Sequence, residues 1–280
     1  MEGDWSALAA TDGQVRHVQA PNPGPMTFRG TNTYLVGRGT VAVIDPGPDS
    51  AAHRAAILSA LDPGERIATI LVTHAHVDHS AGVPALKAAT GAEVLAYGDA
   101  TAGRSAFMAA LAASGGLDGG EGVDAGFAPD RCLSDGETVA VGDLRVTALH
   151  TPGHMANHLS FALGDVVFTG DLVMGWSTSL VSPPDGDLGD FLRALDRLAA
   201  RTGDRLYLPG HGDPVSDPAA RVAELAAHRR ARQAQIAAAL AEAPGTAAAL
   251  AARIYTEVPP ALLPAAARNV LAHLLEMLRK

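Results

Sequence analysis

The sequence predicts an α/β protein, a four-layer αββα sandwich that carries a C-terminal helical domain. Three observations predict it. Apolar runs of strand length alternate with helical stretches through residues 14–208. The strand-rich pattern is laid down twice, and two sheets bury both sets only when packed face to face with helices outside. Beyond Asp217-Pro218 the composition turns alanine-rich and helical, which divides the chain into a body at 1–218 and a helical domain at 219–280.

In the first half, strands are expected at 14–20, 32–37 and 40–45, then a helix at 50–61 that Asp49 or Ser50 can cap. A strand at 67–72 follows, then a helix capped by Ser80 and running through Ala88, a strand at 93–97 and a helix at 101–112. Residues 114–130, with Gly115-Gly116, Gly119-Gly120, Gly122 and Gly126, lack apolar periodicity and read as an irregular excursion. The second half repeats the theme with strands at 137–141, 144–149, 158–163, 165–169 and 205–208 and a helix at 188–200. In the tail, Val222, Leu225, Arg229, Ile236 and Leu240 mark a long helix. Ala267, Val270, Leu271, Leu274, Leu275 and Leu278 form an i, i+3, i+4 stripe on the last one.

The run Thr73-His74-Ala75-His76-Val77-Asp78-His79 sets three imidazoles and a carboxylate directly after an apolar strand. Imidazole nitrogen and carboxylate oxygen suit Zn²⁺ and related first-row cations. Three later strands end in the same manner, at His154 after Pro152-Gly153, Asp171 after Gly170, and His211 after Pro209-Gly210. Glycine and proline there let the chain turn so that a short side chain enters a shared cleft. His150 and His158 read as structural neighbours of these ligands, and His17, His53, His228 and His273 as packing or surface residues.

These residues, in this order and spacing, resemble the metallo-β-lactamase fold superfamily of metallohydrolases over residues 14–215. The resemblance implies that His74, His76 and His154 hold one cation, that Asp78, His79 and His211 hold a second, and that Asp171 bridges them. Class B1 and B2 β-lactamases carry cysteine near that last position, so the aspartate argues against antibiotic hydrolysis. Gly30-Thr31-Asn32-Thr33-Tyr34-Leu35-Val36 before Val41-Ala42-Val43-Ile44-Asp45-Pro46-Gly47, with the helical tail, is similar to the lactamase-beta-two-like subfamily. That subfamily includes an endoribonuclease acting on single-stranded RNA and relatives described as hydroxyacylglutathione hydrolases. Met155 departs from the threonine common after the first-cation histidine, and the tail shows no terminal β-wing, so the resemblance implies a partial winged-helix character for the C-terminal helical domain.

Two divalent cations, Zn with Mn or Fe as alternatives, would sit about 3.5 to 4 Å apart, bridge a hydroxide and bring its pKa toward neutrality. The expected function is therefore dinuclear hydrolysis, with Asp78 as the catalytic residue that orients the hydroxide and passes its proton. A phosphodiester such as single-stranded RNA, or alternatively a small ester or thioester of the hydroxyacylglutathione or lactone type, would be the substrate. A mononuclear iron persulfide dioxygenase is the alternative of another class. Tyr34, Trp176 and Ser177 are candidate substrate contacts.

The formal net charge of −9 conceals an asymmetry, since the chain from Ala219 onward is +4 on a remainder of −13. A basic tail can steer an anionic polymer, although such runs also serve as solvated helix faces. The single cysteine, Cys132, excludes an internal disulfide and reads as inert and partly buried. The opening residues Met1 to Trp5 lack a basic start, and no uninterrupted apolar run approaches the roughly 20 residues that span a bilayer. The expectation is a cytoplasmic enzyme without membrane attachment, whose apolar tail packs internally or forms a homodimer.

Overall fold

The computed structural model describes residues 3–115, 117 and 122–279. Gly116, Gly119 and Gly120 of the expected glycine-rich excursion, and Lys280, lie outside the described residues.

A 3-10 turn at Ser6–Thr11 leads into the first sheet. Its strands are β1 (Val15–Gln19), β2 (Asn32–Val36), β3 (Thr40–Ile44), β4 (Arg66–Leu71), β5 (Glu93–Ala96) and the two-residue β6 (Arg131–Cys132), side by side in chain order. The first three run antiparallel and the last three are added in parallel. Helices α1 (Ala51–Ser59), α2 (Val77–Ser80), α3 (Val83–Thr90) and α4 (Ala106–Ala113) supply the crossovers. The second sheet holds β7 (Thr138–Val141), β8 (Leu144–His150), β9 (Leu159–Leu163), β10 (Val166–Gly170) and β11 (Leu206–Pro209) in the order β11-β10-β9-β8-β7, with α5 (Leu188–Ala199) before β11.

Side-chain alternation builds the layers. In β3, Ala42 and Ile44 point between the sheets with Val146, Phe161 and Phe168, while Val41 and Val43 point outward onto Ile57 of α1 and Leu86 of α3. In β10 and β11, Val167 and Tyr207 face Phe191 and Leu195 of α5, whereas Phe168 and Leu208 face the other sheet. A period of two thus gives each strand two apolar faces and requires a helical layer on either side. The four-layer αββα sandwich expected from the sequence is the fold observed.

The tail consists of α6 (Pro218–Glu242), α7 (Ala247–Ile254) and α8 (Leu263–Leu278). Val222 and Leu225 at the start of α6 belong to the cluster under α5, while Ile236 near its end packs with Leu250 and Val270 in a separate small core. Ala267, Val270 and Leu274 of the expected stripe on α8 pack inside the tail, whereas Leu278 is 81% exposed. By length and composition alone Pro260–Leu278 is apolar enough to cross a membrane, but its Ala266, Val270 and Ala272 are buried against the rest of the chain.

Four local expectations are corrected. Ser80 does not cap a helix; its hydroxyl donates to the His76 carbonyl and the Asp124 carboxylate, so α2 stops after one turn and α3 begins after Gly82. The helix expected from 101 starts at Ala106, because Asp99 accepts the Thr101 N–H in a turn and Ser105 is the cap. The 3-10 turn and β6 had no periodic signal in sequence. Cys132 is exposed because β6 forms the edge of its sheet.

Candidate metal centre

Four strand ends converge at one edge of the sandwich. After β4 the chain stays extended through His76 and then makes the single turn of α2, which swings Asp78 and His79 back toward His74. His154 stands in the loop after β8, Asp171 directly follows β10, and His211 follows β11. At Gly170 (φ +47) a Cβ would lie 2.6 Å from His158 Nε2 and 3.0 Å from Thr73, so only glycine lets the strand end pass that close to the histidine motif.

All seven expected ligands come together. His74, His76 and His154 form one group, His74, His79 and Asp171 another, and Asp78, His79 and His211 a third, with the ligand atoms of each within 4.8 Å of one another. His76 Nδ1 is 3.0 Å from Nε2 of both His74 and His154. Asp171 spans the groups, with Oδ2 3.7 Å from His154 Nε2 and 3.4 Å from His211 Nε2, and Oδ1 3.5 Å from His79 Nε2. That placement is the one a bridging carboxylate requires.

The imidazoles are oriented from behind. A carbonyl or carboxylate oxygen only accepts, so it fixes the proton on the nitrogen facing it. His79 Nδ1–H donates to Asp45 Oδ2 at 2.9 Å, His154 Nδ1–H to the Leu180 carbonyl at 2.6 Å, and His211 Nδ1–H to the Gly30 carbonyl at 3.3 Å. Thr73 Oγ1 donates to Asp45 Oδ2 at 2.7 Å and therefore accepts from His74 Nδ1 at 3.0 Å. In each of the four, Nε2 faces the centre.

The charges fit the same reading. Burial opposes charge on His79 and His211, yet the carboxylates of Asp78, Asp171 and Asp45 raise His79 well above the usual histidine range, and those of Asp171 and Asp78 push His211 up to about 9. Burial would raise the two aspartates, but the adjoining imidazoles hold both below the ordinary carboxylate range. His74 and His76 are lowered by burial and by neighbouring imidazoles, His76 to about 3, which leaves their lone pairs free. Asp171 Oδ1 is buried without a hydrogen-bond partner among the described residues. Imidazole nitrogens and two carboxylates, with the Asp171 Oδ1 orphaned among them, converge on one place as a donor set for first-row cations.

A cavity of about 380 Å³ opens over the centre, lined by Trp176 and Ser177 together with Met26, Val77, Met174 and Leu180. Asp78, His76 and His154 form its floor. Tyr34 corrects the sequence reading. It is buried between the sheets, and its hydroxyl donates to the Pro209 carbonyl at 2.7 Å, so it braces the segment before His211 and does not line the cavity. Phe28, at φ +54, stacks on Trp176 with ring centroids 4.8 Å apart. His158 Nε2 accepts the Asp171 N–H at 3.2 Å and stays behind the ligands, while His150 stacks on Tyr97, both as structural histidines.

Sequence reasoning missed the residues that act from behind. Asp45 accepts from His79, from Thr73 Oγ1 and from the Thr73 N–H at 2.7 Å. Asn32 donates its amide to the carbonyls of Pro209 and Gly212, both at 2.9 Å, and so holds the His211 turn. A polar residue closing or opening an otherwise apolar strand, as both do, was the available signal.

Residues 26–211 match the family described as the Metallo-beta-lactamase superfamily, and residues 246–280 match the Beta-lactamase associated winged helix domain. The chain is 28% identical to the Beta-lactamase-like protein 2 homolog of Drosophila melanogaster, across 96% of this chain and 89% of that protein. It is 29% identical to an atrochrysone carboxyl ACP thioesterase of Aspergillus fumigatus, across 80% of this chain and 64% of that longer protein. Among solved structures, a metallo-beta-lactamase family protein from Thermus thermophilus superposes with a TM-score of 0.72 at 30% identity, covering 95% of this chain and 93% of that one. A beta-lactamase domain protein from Burkholderia ambifaria gives 0.77 at 26% identity, covering 95% and 86%. With the fold, the histidine and aspartate cluster and the matched span in agreement, the chain belongs to the metallo-beta-lactamase superfamily and is a metal-dependent hydrolase of it.

Proposed function

We propose that the chain is a dinuclear hydrolase of esters or thioesters with an apolar acyl part. The observation that carries this reading is the wall of the cavity. Met26, Val77, Met174, Trp176 and Leu180 surround the centre, and no lysine or arginine lines it among the described residues. An apolar acyl chain gains from burial there, whereas a phosphodiester backbone or a glutathione carboxylate would meet no cation from the protein. The thioesterase named among the relatives supports the same class.

His74, His76 and His154 would hold one cation and Asp78, His79 and His211 the other, with Asp171 between them. When bound, zinc or a similar ion supplies Lewis acidity, bringing the pKa of a water toward neutrality and polarising the scissile carbonyl oxygen. Asp78 lies on the floor with its side chain 23% exposed and is held as a carboxylate by His79 and His211. It accepts the proton of the attacking water and returns it to the departing thiolate or alkoxide. Trp176 and Ser177 contact the acyl part, and the stacked Phe28 keeps Trp176 upright over the opening.

Single-stranded RNA is the second reading, favoured by the winged-helix match at 246–280 and the +4 tail. Five of the tail's arginines, Arg221, Arg229, Arg253, Arg268 and Arg279, already donate hydrogen bonds within the chain, which weighs toward the thioester. A single iron for persulfide oxidation accounts less well for two ligand groups sharing one bridging aspartate.

The test is turnover of acyl thioesters of graded chain length beside a single-stranded RNA, by one preparation of measured metal content, with Asp171→Asn as the blank. Rising kcat/KM with acyl length, lost by orders of magnitude in the variant, is expected. RNA cleavage without thioester turnover would move the assignment to the second reading, and one iron per chain with oxygen uptake would end the hydrolytic one.

A further inference from the structure

The long segment between Asp171 and α5 runs under the tail, and the tail's arginines converge on it. Arg221 of α6 donates to the carbonyls of Met174 and Ser177, both at 2.7 Å. Arg268 of α8 donates to Ser182 Oγ and to the Pro183 carbonyl, each at 2.9 Å. Arg279 grips both oxygens of Asp187 at 2.7 Å. Between them, Arg229 donates to the Ser179 carbonyl and, at 3.1 Å, to Asn269 Oδ1, which also accepts the Val181 N–H at 3.0 Å.

The residues gripped in this way touch the metal ligands. Ser179 Oγ donates toward the Asp171 carbonyl, and the Leu180 carbonyl is the acceptor that fixes the His154 tautomer at 2.6 Å. Arg229 and Asn269 therefore hold the peptides on either side of Leu180, one from each of two tail helices. Arg229 is 2% exposed, lies over the Phe191 ring at 4.9 Å, and has no carboxylate within ion-pair distance among the described residues. A guanidinium taken out of water onto neutral acceptors is a poor way to stabilise a fold, since an apolar side chain of similar volume would do as well or better. Burial lowers its pKa to about 10, which leaves it charged at neutral pH.

We infer that Arg229 and Asn269 are positioning residues of the metal centre: through the peptides of residues 179–181 they aim His154, so that the C-terminal helices complete the site from behind. This rests on the metal reading proposed above. The interaction is weighted toward one cation, because the ligand side chain that residues 179–181 touch is the imidazole of His154, whereas Ser179 meets Asp171 at its backbone carbonyl and not at its carboxylate.

The experiment is cobalt titration of the full apo chain, read by visible absorption and by bound metal after dialysis, with thermal unfolding alongside. Asn269→Leu and Arg229→Met are expected to weaken the cation at His154 about 10- to 100-fold, to leave the cation at Asp78, His79 and His211 within about threefold, and to alter the cobalt spectrum. Asn269→Asp keeps an acceptor for both donors and is expected to restore the wild-type spectrum. Should Arg229→Met fail to fold, Asn269→Leu and Asn269→Asp carry the comparison, since Asn269 is only partly buried. Equal weakening of both cations in step with lost thermal stability would overturn the inference in favour of a packing role, as would unchanged affinities. A wild-type chain that takes up no cation would overturn the metal reading first, and is seen before any variant is compared.

Discussion

The carboxylate of Asp45 accepts the Nδ1–H of His79 at 2.9 Å while taking two hydrogen bonds from Thr73, the residue just before His74. One carboxylate at the end of β3, in a left-handed backbone conformation at φ +52, thus orients ligands of both cation groups. Removing its charge weakens the basicity of His79, and the amide of an asparagine would turn its own N–H groups toward a donor of Thr73 or His79. Asp45→Asn should lower cation affinity about 10- to 100-fold with the fold retained, measured by chelator competition beside circular dichroism.

Cation binding should release protons. In the metal-free chain the carboxylates of Asp78 and Asp171 favour the protonated forms of His79 and His211, the latter with a pKa pushed up to about 9. A cation needs their lone pairs and displaces those protons. Affinity should therefore rise with pH through the neutral range and flatten above about 9. Calorimetry at pH 7 in buffers of differing ionisation enthalpy should show net proton release on binding, and a buffer-independent enthalpy would contradict this.

The tether between tail and body should loosen in acid. Burial raises the Asp187 carboxyl, but its hydrogen bonds with Arg279 outweigh this and leave it below its ordinary value. A depressed carboxylate contributes stability that is fully present above its unfolded value of about 3.9 and is lost as pH falls through the folded one. Arg279→Ala should cost about 1–2 kcal/mol at pH 7 in urea unfolding. The gap from wild type should narrow as the pH falls through that depressed value.

Gly210 is a steric gauge of the centre. A Cβ there would lie 2.5 Å from Asp171 Oδ1 and 2.7 Å from His79 Cε1. Gly210→Ala should displace both ligands and leave at least one cation site empty by metal analysis, while Gly203→Ala, where a Cβ meets open space, should bind as wild type does.

The strands and the metal ligands were legible in the sequence because both are written in short range. A continuous apolar run marks Val41 to Ile44, and the His74 to His79 run follows directly after its strand. Partnerships across long separations were not legible. Asp45 reaches His79 across 34 residues, Tyr34 reaches Pro209 across 175, and Arg229 reaches Ser179 across 50. Nothing local distinguishes a brace from a substrate contact in Tyr34, or a buried arginine from a solvated one in the run His228-Arg229-Arg230-Ala231-Arg232. The cap at Ser80 misled for a related reason, since a hydroxyl next to a metal loop finds an acceptor in Asp124 before it finds a helix N–H.

The seam beneath the centre joins the two sheets. The Asn32 N–H of β2 donates to the Gly210 carbonyl at 2.8 Å, Thr31 bridges His211, and the Asn32 amide closes on both flanks of that turn. Neither half of the chain owns a complete cation site, since His74 and His76 come from one and His154 from the other, and Asp78 and His79 must meet His211. Any ion taken up by the assembled chain but not by its separated halves acts as a rivet. By mass action a cation at 100 times its dissociation constant adds about 2.7 kcal/mol against their parting. Losing the metal would then mean more than losing the chemistry, because the two halves would be held at that edge only by hydrogen bonds such as those of Asn32, Tyr34 and Leu159 and by the packing between the sheets.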